Sequence, residues 1–206
     1  MRVKTWYNIT TGLKIPIMTL SKSYKYVSPE DYLEGEKISP IKHEYQQGEI
    51  YAMAGASDAH EIIAGNLFAL LRNHIRGTGC RIYIGNMKAR IEEADVFYYP
   101  DIMVTCDARD RSLQYFKRYP RLIVEVLSPT TAAFDRGNKF ADYRTIETLQ
   151  EYVVINQESI GVECYRRNSE GRWELYPYGV GAEVRLDSAD FEGAIAQIYE
   201  DVLEIG

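Results

Sequence analysis

The chain has 206 residues, 46% of them hydrophobic and 26% charged, with a net charge of −6. This is the composition of a soluble globular protein with a sizeable core, and one domain is the default at this length. Its apolar runs are far too short to cross a bilayer, and "MRVKTWYNITTGLKIPIMTL" has neither a long apolar core nor a cleavage site. A cytoplasmic protein with no membrane partner is expected.

Residues 1–20 lack periodicity and read as an N-terminal extension, with Met18 a second candidate start; residues 21–206 read as one domain. "SPEDYLEGE" (28–36) predicts a short helix capped by Ser28, with Pro29 in its first position and Glu30 and Asp31 at its positive end. "IKHEYQQGEIYAMAG" (41–55) predicts two strands turning at Gln47-Gly48. Residues 57–80 predict the clearest helix. Asp58 and Glu61 have capping-box spacing, Ile63, Leu67, Leu70, Leu71 and His74 share a face, and Gly77 and Gly79 end it.

Strands are expected near 81–85, 88–92, 100–106 and 121–128, a second helix over 133–149, and strands over 151–157, 161–167 and 173–179. Residues 189–202 end in a short helix. Helices between groups of strands mean an α/β (α+β) fold with a mixed sheet. Cys80, Cys106 and Cys164 lie far apart without CxxC spacing. That argues against a disulfide framework or a structural zinc site, and predicts free, mostly buried thiols.

The acidic total charge disfavours a generic nucleic-acid binder. Its distribution is uneven, however. Residues 183–206 carry seven acids against Arg185, so the rest of the chain is neutral. Within that rest, "RDRSLQYFKRYPR" (109–121) holds Arg109, Arg111, Lys117, Arg118 and Arg121 against Asp110, interleaved with Tyr115, Phe116 and Tyr119. Such a mixture suits phosphate contact and base stacking. It equally suits a solvated loop whose aromatics tuck into the core.

Two strands each carry one acid. In "LIVEVLS", alternation puts Glu125 on the face of Ile123 and Leu127, where a carboxylate must be paired, protonated or bound to a metal. In "YYPDIMVTC", Asp101 opens the neighbouring strand. If the strands are adjacent, both acids converge on one divalent cation. Mg²⁺ takes oxygen ligands and keeps several waters, so two carboxylates and a backbone carbonyl suffice. Alone, Asp101 reads as a strand-start aspartate and Glu125 as half of an internal salt bridge.

Six segments in order carry a resemblance: "KHEYQQGEIYAMAGAS", "NLFALLRNHIRGTGC", "YYPDIMVTC", "EVLSPTTAAFDRGNKF", "LQEYVVI" and "IYEDV". From about Ser28 to Val202 the chain resembles the Uma-two family of predicted endonucleases, within the PD-(D/E)XK restriction-endonuclease-like superfamily. The resemblance implies a mixed β-sheet core flanked by helices, here with an added N-terminal hairpin and C-terminal strands. It also implies Mg²⁺-dependent (or Mn²⁺-dependent) phosphodiester cleavage of nucleic acid, with double-stranded DNA the first expectation. Asp101 and Glu125 become the metal acids. A homodimer would suit double-strand cleavage, by analogy with the superfamily.

The superfamily lysine, two residues after the second acid, is Leu127 here. Lys139 is the candidate replacement, against the bland reading of an ion pair with Asp135 on a solvated helix face. Lys88 in "NMKAR" is the weaker alternative. Glu44 resembles the N-terminal acid of such sites, with Glu49 competing. Tyr143 either positions Lys139 or is an ordinary core tyrosine. Ser128 lacks the surroundings of a nucleophile, and "LSPTT" is expected to end its strand and bind backbone. His43, His60 and His74 lack metal-ligand spacing; His60 either touches phosphate or makes a local hydrogen bond. The competing functions are a non-catalytic DNA-binding module that kept the fold, and a metal-dependent hydrolase of RNA or nucleotides.

Overall fold

The computed structural model describes residues 26–202, so the N-terminal extension of residues 1–20 lies outside the described residues. Helix α1 (Pro29–Glu36) is capped as expected, the Ser28 side chain accepting from Asp31 N. Strands β1 (His43–Gln46) and β2 (Glu49–Ala52) form the expected hairpin. Its two turn residues have positive φ, Gln47 at 50° and Gly48 at 92°, the geometry that matches strand twist in a two-residue turn. A side chain at position 48 would also collide with the Tyr26 ring.

Helix α2 (Asp58–His74) starts one residue earlier than its capping-box pattern suggests. The cap is Ser57, whose hydroxyl accepts from His60 N, so the Asp58–Glu61 spacing is incidental to the helix start. Its buried stripe is Ile63, Ala64, Leu67 and Leu71, while His74 is exposed and meets Phe191 edge-on.

Six strands form the larger sheet: β3 (Arg81–Ile84), β6 (Ile102–Thr105), β8 (Pro120–Leu127), β9 (Glu151–Asn156), β10 (Val162–Arg167) and β11 (Trp173–Tyr178). Their order is β11-β10-β9-β8-β6-β3, and only the β8–β9 pair is parallel. A five-stranded sheet, in the order β2-β1-β5-β4-β7, adds β4 (Lys88–Ile91), β5 (Val96–Tyr98) and the two-residue β7 (Phe116–Lys117). Strand β12 (Glu183–Leu186) pairs with β13 (Phe191–Ala194), which leads into helix α5 (Ile195–Ile198). Strands β5, β7, β12 and β13 do not stand out in the sequence, because each is short and gains its order from neighbours rather than from an alternating pattern.

Strand β8 reads as a continuous apolar run because both of its faces are covered. Leu122, Val124 and Val126 pack with α2, α5 and the β12–β13 hairpin. Ile123 and Leu127 point the other way, into a core shared with Ala89, Tyr98, Tyr143 and Tyr152. Removing Leu67 or Leu71 side chains from the first core would cost about 2–5 kcal/mol each.

Between β8 and β9 the expected long helix is short and broken. It runs as α3 (Ala132–Phe134), a π-helical turn (Asp135–Lys139) and α4 (Phe140–Tyr143). Past Tyr143 the chain tightens into three-residue turns, Thr145 N to Asp142 O and Ile146 N to Tyr143 O. The Thr145 hydroxyl also donates to Asp142 O, competing for a helix carbonyl. Ile146 and Leu149 stay buried, which is why the apolar pattern outlasts the helix.

The cysteine expectation is corrected. Cys80 and Cys106 form a disulfide, and Cys164 is the free, buried thiol. The antiparallel register pairs Arg81 with Thr105, so the residues just outside that pair face each other at the end of β3 and β6. Sheet register, not local spacing, makes this bond.

Candidate active site

Glu125 lies inside β8 on the face of Ile123 and Leu127, as alternation requires, with 4% of its side chain exposed. Asp101 sits one residue beyond the Ile102–Val124 pair, on the adjoining strand end. Its Oδ2 accepts from Val126 N at 2.7 Å, which ties it to β8 directly. The two acids are therefore neighbours on adjacent strands.

Lys139 enters from the π turn. Its Nζ lies 2.9 Å from Glu125 Oε1 and 3.5 Å from both Glu44 Oε1 and Asp135 Oδ1. It also stands 5.5 Å from the centre of the Tyr98 ring. The Asp135 ion pair thus exists, but in the interior: both side chains are buried. The π turn closes its hydrogen bonds over one residue more than an α-helix, and π turns concentrate at functional sites. Tyr152 on β9 fixes this one by donating to the Asp135 carbonyl. Tyr143 donates to Glu125 Oε1 at 3.0 Å, so it is part of the cluster rather than inert packing. Glu44 also receives Tyr99 N at 3.4 Å.

Three acids thus surround one lysine, with Asp101 beside Glu125 on the adjoining strand. Burial strips water from Lys139, yet Glu125, Glu44 and Asp135 outweigh this and hold its amine well above the ordinary lysine range. Burial, aided by the charges of Asp101 and Asp135, pushes Glu125 well above the ordinary carboxylate range despite Lys139. The cluster gathers more carboxyl groups than Lys139 alone can pair with, and a further cation between Asp101 and Glu125 would offset that crowding.

The donor set suits a hard ion. Among the described residues no group of three or more His, Cys, Asp and Glu side chains is arranged to hold a metal. A site of two carboxylates completed by water is the kind Mg²⁺ uses. The protein contacts of Asp101 among the described residues fall on Oδ2, and those of Glu125 on Oε1.

His60 is the residue that spacing arguments missed. From the first turn of α2 its Nε2 lies 3.2 Å from Asp101 Oδ2. Burial lowers its basicity, but the hydrogen bond and charge of Asp101 outweigh that and raise it. Its Nδ1 is buried without a partner among the described residues. Only the bare position of His60 in the helix start could have flagged it.

Lys88 lies elsewhere. It is buried beside the Tyr99 ring at 5.0 Å, and burial lowers its basicity, only partly offset by Glu36. Glu49 accepts from the Tyr51 hydroxyl and makes no ion pair with Lys139. Ser128 accepts from Thr131 N, ending β8 as expected. His43 pairs with Glu36 at 2.8 Å.

The basic segment joins the far ends of β6 and β8, about 13 Å along the strand from Asp101. Most of its charge is already engaged. Lys117 is 2% exposed, and its ammonium donates to the Asp110 and Leu113 carbonyls, so it is a structural residue and not a surface contact. Arg109 forms a fork with Asp107 and reaches Glu147 at 2.9 Å. Arg118 pairs with Glu92, and Arg121 donates to Gln150. Arg111 is exposed. Buried Asp110 organises the loop by accepting from Arg118 N, Tyr119 N and the Thr105 hydroxyl.

No helix among the described residues is long and apolar enough to cross a membrane. Residues 29–198 match the Uma2 family, described as "Putative restriction endonuclease". Two uncharacterized proteins of Synechocystis sp. are similar. One is 39% identical over 179 residues, covering 87% of this chain and 94% of its own. The other is 37% identical over 173 residues, covering 82% and 97%. The crystal structure of a protein from Anabaena variabilis, titled a putative nuclease belonging to DUF820, superposes with a TM-score of 0.70 at 16% identity, over 86% of this chain and 99% of that one. The fold is thus the restriction-endonuclease-like α+β fold, and the chain belongs to the Uma2 family.

Proposed function

We propose that this protein is a metal-dependent endonuclease that hydrolyses phosphodiester bonds of DNA, with Asp101 and Glu125 holding Mg²⁺ (or Mn²⁺). The observation that carries the reading is Lys139 Nζ at 2.9 Å from Glu125 Oε1, beside Asp101 on the adjoining strand. An amine beside two acids on adjacent strands matches the residue types of the superfamily motif, although the lysine arrives from a helix.

A divalent ion here would polarise the scissile phosphate and acidify a bound water. Lys139 contributes fixed positive charge. Its ammonium, held by Glu125, Glu44 and Asp135, would donate hydrogen bonds to the water and offset charge on the phosphorane-like transition state. Glu44 and Asp135 hold Lys139 in place from two further sides. Tyr143 fixes the Glu125 carboxylate. His60 orients Asp101 from α2. The attacking water gives up one proton to solvent as its oxygen bonds to phosphorus, the ester P–O bond breaks, and the departing oxygen takes a proton from solvent. No covalent enzyme intermediate is needed.

The test is nicking of supercoiled plasmid with Mg²⁺, against EDTA and against single-stranded RNA, with Glu125→Gln as control. Nicking of DNA alone, lost in EDTA and in the variant, supports the proposal. Cleavage confined to RNA would replace DNA as substrate, and binding of DNA without cleavage would make the chain a non-catalytic module. Linear product appearing without a nicked intermediate would indicate a homodimer cutting both strands.

A further inference from the structure

A groove of about 410 Å³ lies against the proposed site. Its floor is one face of the five-stranded sheet, where the β1–β2 register puts Glu44 opposite Tyr51 and Gln46 opposite Glu49. Its wall is the broken helix, through Phe134, Asn138 and Asp142. Tyr98 lines the inner end. This buried residue stands between groove and cluster: its hydroxyl donates to Asp142 Oδ2 at 2.6 Å, and its ring centre lies 5.5 Å from the Lys139 ammonium.

The lining is unlike a phosphate channel. Among the described residues no lysine or arginine lines the groove. It presents the carboxylates of Glu49 and Asp142, amides including Gln46 and Asn138, and the rings of Tyr51 and Phe134. A phosphate there would meet carboxylates. A nucleobase would meet rings that can face its π surface and groups that can pair with its edge. The volume falls in the range of small-molecule sites.

We propose that this groove receives a nucleobase of the substrate next to the scissile phosphate, and that it favours bases carrying an exocyclic amine. Carboxylates only accept hydrogen bonds. Adenine, cytosine and guanine offer an amino group to Glu49 or Asp142, whereas thymine presents two carbonyls flanking one N–H. The sugar-phosphate backbone then crosses Lys139 and the Asp101–Glu125 pair while the base points toward the π turn. Both the break in the helix and the exposed face of the hairpin acquire a use. The inference rests on the endonuclease reading and adds the part of the substrate that is selected.

The experiment measures binding of short fluorescent oligodeoxycytidine, oligothymidine and abasic strands by anisotropy, with Ca²⁺ in place of Mg²⁺ to prevent cleavage. Wild type should bind oligodeoxycytidine about 10-fold more tightly than oligothymidine or the abasic strand. Glu49→Gln and Asn138→Ala should bring that ratio toward one while leaving the dependence of binding on salt unchanged, since phosphate contacts are untouched. Both variants are compared at equal melting temperature, and Glu49→Asp, which keeps the charge, should retain more of the ratio than Glu49→Gln. Equal affinity for all strands, or a ratio that survives in both variants, overturns the groove assignment. If plasmid is nicked under those same findings, the endonuclease reading stands without it. If no strand binds and no plasmid is nicked, both fall.

Discussion

Lys139 and Glu125 meet at 2.9 Å although one stands in a π turn and the other in the middle of a buried strand. The strand places the acid and the turn places the amine, and neither element alone makes the site. Lys139→Met keeps the bulk and removes the charge. Plasmid nicking should fall by about 10²-fold or more, the loss typical of removing one preorganised donor at developing negative charge. The Mg²⁺-induced rise in melting temperature should persist, because the lysine is not a ligand. Nicking within a few-fold of wild type would show that Lys139 only balances buried acids. Lys88→Met, which removes an ammonium that makes no ion pair with Glu125 or Glu44 among the described residues, should leave the rate per bound substrate unchanged.

Asp101→Asn tests the other half. An ion that binds the native state alone stabilises it by about 2.7 kcal/mol at one hundred times its dissociation constant. Wild type should gain several degrees in melting temperature on adding Mg²⁺ or Mn²⁺, and the variant none. The amide still accepts from Val126 N, so the fold should survive. Equal shifts in the two proteins would place the metal elsewhere.

Much of this was legible because it follows from alternation. Glu125 in an apolar run had to face the core with Ile123 and Leu127, and it does. The Gln47-Gly48 turn and the Ser28 cap rest on local chemistry that tertiary contacts do not override. What could not be read depends on distant partners. The π turn needs the Tyr152 hydroxyl from β9 to hold the Asp135 carbonyl. His60 finds Asp101 only because α2 packs across the end of β8 and β6. Lys117 looked like a surface cation because its neighbours in sequence are basic, but Asp110 folds the loop so that its ammonium turns inward.

That placement separates the basic residues by experiment. Lys117→Met leaves two carbonyls without their donor and should lower the melting temperature by roughly 5 °C. Arg111→Ser and Arg121→Ser should leave it within about 1 °C, as exposed substitutions usually do. If the segment touches nucleic acid, those two variants should flatten the salt dependence of DNA binding. An unchanged slope would make the whole segment structural, and an unchanged melting temperature in Lys117→Met would contradict the buried contact.

Burial also predicts the alkaline limit of stability. Burial pushes the Tyr199 phenol up to about 12, and Tyr32, Tyr98, Tyr143 and Tyr152 are raised further by burial and nearby carboxylates. A group whose folded pKa is raised contributes stability that is complete below its unfolded value, about 10 for tyrosine, and lost as pH rises through the folded value. Denaturant midpoints should therefore hold to about pH 9.5 and fall between about 10 and 12. Tyr199→Phe should reduce the slope in that window. Ultraviolet absorbance should show buried phenols ionising only as the fold is lost. A midpoint flat to pH 12 would mean these hydroxyls are open to solvent.

The Cys80–Cys106 bond bears on where the protein works. It closes a loop with a sequence separation of 26, for which chain entropy gives about 3.5 kcal/mol of stabilisation. Such bonds persist in oxidising compartments and are rare where thioredoxin and glutathione act. A cytoplasmic nuclease would hold both thiols reduced at the end of the β3–β6 pair, with register alone keeping them close. Protein purified without reductant, unfolded and alkylated should carry one label, on Cys164, and three after reduction. Reductant should lower the melting temperature of wild type and not of Cys80→Ser. Three labels without reductant would leave the strand pairing intact but would remove the covalent clamp, and with it the tension with a cytoplasmic location.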